Sequence, residues 1–99
     1  MATVTETYIL EQNEGMTNFP SSASTRLQTA LDNGTIVSFT KTPIDSPSEV
    51  VAGKTRHNIA IVWKSAADRN NYITAMQADS TYQAYVASSN TTIINRVTS

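Results

Sequence analysis

The stretch Asn58-Ile59-Ala60-Ile61-Val62-Trp63-Lys64 (NIAIVWK) decides how this chain folds. Side chains alternate across a pleated strand, so Ile59, Ile61 and Trp63 fall on one face and Ala60 and Val62 on the other. Both faces are apolar, and a strand of that kind has to be covered on both sides.

Working outward, Thr35 to Thr42 (TIVSFTKT) reads as the antiparallel partner of this strand, closed by Pro43, which lacks a backbone donor. The connection between the two is too long for a tight hairpin and has two readings. Ser46-Pro47-Ser48-Glu49 resembles a capping box with proline at the first helical position, which gives a single helical turn stopped by Gly53. Alternatively the strand extends through Val50 and Val51 and turns at Gly53-Lys54.

Residues 2–10 (ATVTETYIL) alternate as a first strand, with Val4, Glu6, Tyr8 and Leu10 on one face. A polar stretch from Glu11 to Pro20 breaks the pattern. A helix from Ala23 to Asn33 follows, with Ser21 or Ser22 as its N-cap and Gly34 as its stop. After the decisive strand, Ser65-Ala66-Ala67-Asp68 starts a second helix with apolar Tyr72, Ile73 and Met76. Asp79-Ser80 interrupts it with a fresh N-cap ahead of Tyr82, Tyr85 and Val86. Thr91 to Val97 is the last strand, with Ile93 and Val97 facing one way and Ile94 the other.

Strand, helix, strand, strand, helix, strand is the α+β, ferredoxin-like βαββαβ order, a four-stranded antiparallel sheet with two helices on one face. Those helices leave the second face bare, and the simplest cover in so short a chain is another copy of itself. The expectation is a homodimer built sheet to sheet.

Composition narrows the function classes. Ninety-nine residues make one domain, 1–99, and 26 Ser plus Thr against three Leu favour strands over long helices. Seven Lys plus Arg against eight Asp plus Glu, scattered along the chain, remove the electrostatic case for nucleic acid. No apolar run approaches the length of a membrane span. Zero cysteine excludes disulfides, zinc-thiolate sites and a cysteine nucleophile. With no leader at the amino terminus, a cytoplasmic address is expected.

The run Ile61-Val62-Trp63-Lys64-Ser65-Ala66-Ala67-Asp68, with Tyr72 and then Asp79-Ser80-Thr81-Tyr82-Gln83-Ala84-Tyr85, resembles the third strand and second helix of dimeric α+β barrel proteins. The antibiotic-biosynthesis-monooxygenase-like group is the nearest in look. The resemblance covers about a quarter of the chain, mainly residues 61–86. It implies two sheets closing into a barrel across a dimer, with a pocket in each subunit between sheet and helices. Some members oxidise aromatic substrates with molecular oxygen and need no metal or flavin, and others degrade haem. Haem-degrading members carry a histidine where this chain has Tyr85, and their strand-one asparagine has no counterpart here, which argues against haem.

On that basis the expected function is cofactor-independent, monooxygenase-like chemistry on a small aromatic or quinol-like molecule. Tyr8, Phe39, Trp63 and Tyr72 would bind the ring, and Glu6 or His57 would handle the proton. Each has a plainer reading. The four aromatics suit any small core, and the Trp63 indole N–H then wants an acceptor. His57, the only histidine, stands beside Arg56 as a solvated loop-end residue. Glu6 is either a buried acid, paired or shifted, or a group at the dimer rim. The alternatives to an enzyme are a non-catalytic ligand-binding or dimerisation domain and a small viral or accessory interaction protein.

Overall fold

In the computed structural model, which describes residues 2–15, 20–45, 48 and 50–99, the central pair is longer than alternation alone suggests. Strands β1 (Val4–Asn13) and β3 (Lys54–Trp63) run antiparallel over their whole length, with Val4 opposite Trp63 and Asn13 opposite Lys54. Strand β2 (Ile36–Pro43) pairs with the far side of β3, Phe39 facing Ile61 and Pro43 facing His57. Strand β4 (Thr92–Thr98) pairs with the far side of β1, so the order across the sheet is β2-β3-β1-β4. The connecting helices are α1 (Ser21–Asp32), α2 (Ala66–Gln77) and α3 (Ser80–Ser88), the second helical segment being broken in two.

The βαββαβ order is therefore present, but the expected barrel is not. β2 and β4 are opposite edges of an open sheet and do not pair with each other. Closure needs every strand to have two neighbours, and the edge strands have one each. The barrel fold class, and the kinship with the monooxygenase-like group that rested on it, are overturned by this open sheet.

The core forms where the inward side of the sheet meets the helices. Ile36, Ile59, Ile61 and Trp63 pack with Ala30 of α1, and Val4, Tyr8, Leu10, Leu27, Leu31, Phe39 and Tyr72 close around them. Ile59, Ile61 and Trp63 share this face, as their alternation requires. The reverse face carries Thr5, Thr7, Ile9 and Glu11 from β1, Arg56, Asn58, Ala60 and Val62 from β3, and Ser38, Thr40 and Thr42 from β2.

Three local expectations need correction. Helix α1 begins two residues early, with Pro20 in the cap position and no side-chain cap, so neither Ser21 nor Ser22 caps it. Proline's fixed φ presets that entry. Ile93 and Val97 do not share a face. Ile93 lies opposite Leu10 on the helix side, whereas Ile94 faces Ile9 and Val97 faces Thr7 on the reverse side. The pairing slips between Thr7 and Ile9, and Asn95 takes a left-handed φ of 54° at the slip, so the extra residue flips the alternation. Finally, Val50 and Val51 lie outside β3, which starts at Lys54 after a turn at Gly53 (φ 82°). The rival helical turn falls largely on Ser46, Pro47 and Glu49, which lie outside the described residues.

Gly34 (φ 83°) follows α1 in the left-handed conformation a helix stop needs. Ser65 caps α2 by accepting the Asp68 N–H at 3.2 Å while its hydroxyl donates to Asp68 Oδ2 at 2.7 Å. Among the described residues, no helix is long and apolar enough to cross a membrane.

Candidate functional site

Alternation on β1 puts Glu6 under the helices, and there it is 2% exposed. A carboxylate so placed must be paired or lose its charge. Trp63 Nε1 donates to Glu6 Oε1 at 3.2 Å, from the directly neighbouring strand. Arg69 of α2 donates Nη2 to Oε2 at 2.7 Å, and Arg96 of β4 brings Nε to the same oxygen at 3.2 Å. Two guanidinium groups and an indole thus converge on one carboxylate, tying β1, β3, β4 and α2 together. Tyr8, two residues along β1, lies beneath the Arg96 guanidinium, 5.6 Å from the ring centre. Its phenol is pushed up to about 12, first by burial and then by the neighbouring Glu6 charge.

The rest of the aromatic group is packed as core. Trp63 is 2% exposed and meets Tyr72 edge to face, with ring centres 5.1 Å apart. Burial holds the Tyr72 phenol above its ordinary value, against the opposing pull of Arg26. Phe39 packs against the same cluster from the β2 side. The structure therefore brings Glu6, Tyr8, Phe39, Trp63 and Tyr72 to one side of the sheet. His57 shares that side but stands apart along the strand: it lies within β3 opposite Leu10, toward the Lys54 end, and is half-buried instead of loop-borne. Burial lowers its pKa, the Lys41 charge adds to the effect, and Asp45 opposes it.

A second polar cluster joins the helices. Asp79, the N-cap of α3, accepts from the Tyr82 N–H at 3.1 Å, from Arg26 Nη1 at 2.9 Å and from the Ser22 hydroxyl at 2.8 Å. The Arg26 guanidinium also lies 5.8 Å from the Tyr72 ring centre and 5.7 Å from that of Tyr82. The bond from Arg26, then those from Tyr82 and Ser22, bring the Asp79 carboxyl down to about 2.

Two open depressions mark the surface. One, of about 480 Å³, lies on the reverse side of the sheet among Thr7, Ile9, Thr40, Thr42, Asn58 and Ala60. The other, of about 410 Å³, lies between α1 and α2 and includes Arg26, Asn33, Asn71 and Tyr72. Neither is lined by Glu6 or Trp63. Among the described residues, no group of three or more His, Asp or Glu is gathered to hold a metal ion.

Sequence reasoning found Glu6 and its need for a partner, and found the indole in need of an acceptor. It missed Arg69 and Arg96. The one available signal was phase: Arg69 stands four residues after the Ser65 cap, on the turn that faces the sheet. Arg96 gave none, because the bulge at Asn95 resets its face. The chain matches no protein-family model, no curated protein and no solved structure.

Proposed function

We propose that this chain is a non-catalytic assembly domain that pairs with a second copy of itself through the reverse face of its sheet. One observation carries the reading. Helices α1, α2 and α3 lie on the side of Trp63, while among the described residues the reverse side presents half-buried Ile9, Ala60, Val62 and Ile94 and a 60% exposed Val97 among threonines. The depression on that side offers a concavity for the side chains of a facing sheet.

Size supports the same reading. Strands of seven to ten residues at about 3.3 Å per residue, four abreast at about 4.8 Å, present roughly 550 Å². That is about two-thirds of the ~800 Å² per partner of a standard interface, so the pairing would be of modest strength. The two sheets stack as layers, with the β2 and β4 edges left open. A cytoplasmic address belongs to the proposal.

Oxidation of an aromatic or quinol-like molecule has less to support it. The space beside Trp63 is packed, and both Glu6 oxygens already accept from Trp63, Arg69 or Arg96. Oxygen uptake above buffer with a panel of quinols, lost in Trp63→Phe, would reinstate it.

Sedimentation equilibrium over a range of concentrations tests the assembly. Wild type should move from monomer to dimer mass, and Val62→Lys, which places a charge among the apolar groups at the uncharged end of the face, should stay monomeric with an unchanged circular dichroism spectrum. A wild-type chain that remains monomeric at the highest concentration overturns the reading.

A further inference from the structure

The reverse face carries charge at one end only, and this fixes how a second copy can sit. Glu11 of β1 and Arg56 of β3 are directly opposite each other, with Arg56 Nε 2.8 Å from Glu11 Oε2. One step further along, Lys54 Nζ donates to Asn13 Oδ1 at 2.6 Å. The other end of the same two strands carries Thr5 and Val62. The sheet order β2-β3-β1-β4 places its midline between β3 and β1, the two strands that hold these groups.

We propose that the dimer's two-fold axis runs along the strands at this midline, so that Arg56 of each copy faces Glu11 of the other. This rests on the sheet-face pairing proposed above and specifies its geometry. Rotation about such an axis keeps strand direction and exchanges left for right. Every β3 residue is then carried over its own cross-strand partner on β1 of the second copy: Arg56 over Glu11, Ala60 over Thr7 and Val62 over Thr5. Glu11 and Arg56 form a four-group cluster of alternating sign.

The competing axis, running across the strands, reverses strand direction. It sets the Glu11–Arg56 end of each copy over the Thr5–Val62 end of the other, desolvating charges against apolar groups without new partners. Sheets stacked in aligned fashion differ in direction by about 30°. The resulting offset at the charged end is one that a long arginine side chain spans.

The test uses Glu11→Arg and Arg56→Glu as separately purified proteins. Each alone puts four like charges together at the interface and should dimerise at least tenfold more weakly than wild type. Mixed in equal amounts, they should form the heterodimer in preference to either homodimer, because every facing pair is then of opposite sign. Native mass spectrometry resolves the species by mass. A dimeric wild type whose two variants mix without preference overturns this axis and leaves the sheet-face reading standing. A monomeric wild type overturns both.

Should either charge variant fail to fold, the cysteine-free chain supplies a second route. A Val62→Cys protein treated with a short bismaleimide should link to its own copy, because the along-strand axis holds the Thr5–Val62 ends of the two copies together. A dimer of this protein that does not link places the axis across the strands, which carries each Val62 to the Arg56 end of the other copy.

Discussion

At the scale of single residues, Glu6 is the most consequential side chain. It is the acceptor for Trp63, Arg69 and Arg96 at once, so removing its charge leaves two guanidinium groups without their counter-ion. Breaking a buried ion pair from one side costs about 3–5 kcal/mol, but the Arg96 side chain is 42% exposed and can turn to water. Glu6→Gln should therefore lower unfolding free energy by roughly 2–4 kcal/mol in urea. A change under about 0.5 kcal/mol would mean that the cluster contributes no net stability. Tyr8 gives an independent optical readout of the same place. Its phenol ionises at about 12 in the folded protein against 10.0 for the ordinary group, so folding holds it protonated. That contribution is whole below pH 10.0 and is lost as pH rises through about 12. Phenolate absorbance should show a step near pH 12, and Tyr8→Phe should delete that step.

At the scale of elements, two junctions determine how the pieces meet. Asp79 caps α3 and receives Arg26 and Ser22 from α1, so a single carboxylate fixes two helices. Its pKa falls from 3.8 to about 2 on folding, which means that its support is full above pH 3.8 and disappears as pH drops toward 2. Acid melting curves of wild type and Asp79→Asn should differ above pH 4 and converge near pH 2; curves that stay parallel would show that the tie does not form. The second junction is the bulge in β4. Asn95 holds φ at 54°, a conformation that asparagine tolerates and a β-branched residue resists. Asn95→Val should destabilise by about 1–2 kcal/mol, and Asn95→Gly should cost little or nothing. These junctions also show which information was local. The break at Asp79-Ser80 and the Ser65 cap were legible because capping chemistry is written within three or four residues. The Asn95 bulge was not, since it depends on pairing with Thr7 and Ile9 across the sheet. The seating of Arg96 on Glu6 was hidden for the same reason, whereas Arg69 carried the phase of its helix.

At the scale of the molecule, the order of strands and helices followed from alternation and capping signals along the chain, and the expectation of a partner on the second face followed from the two-sided apolar character of residues 59–63. Closure of the sheet was a different matter, because nothing in the alternation of β2 or β4 says whether an edge finds a second neighbour. Here neither does. An open sheet with no described helix on one side makes a thermodynamic prediction that a closed monomer would not. If folding and pairing are linked, the melting temperature must rise with protein concentration, because mass action favours the state that buries the reverse face. Wild type should show that rise across a hundredfold range of concentration, whereas Val62→Lys should melt at one temperature throughout. Salt separates the contributions further. The Glu11 and Arg56 groups would be partly shielded in the dimer, so raising ionic strength should weaken association only slightly, less than for an exposed charged interface. Wild type that melts at the same temperature at every concentration would mean that Ile9, Ala60, Val62 and Val97 face water in the functional state, and that their threonine neighbours are enough to keep them there.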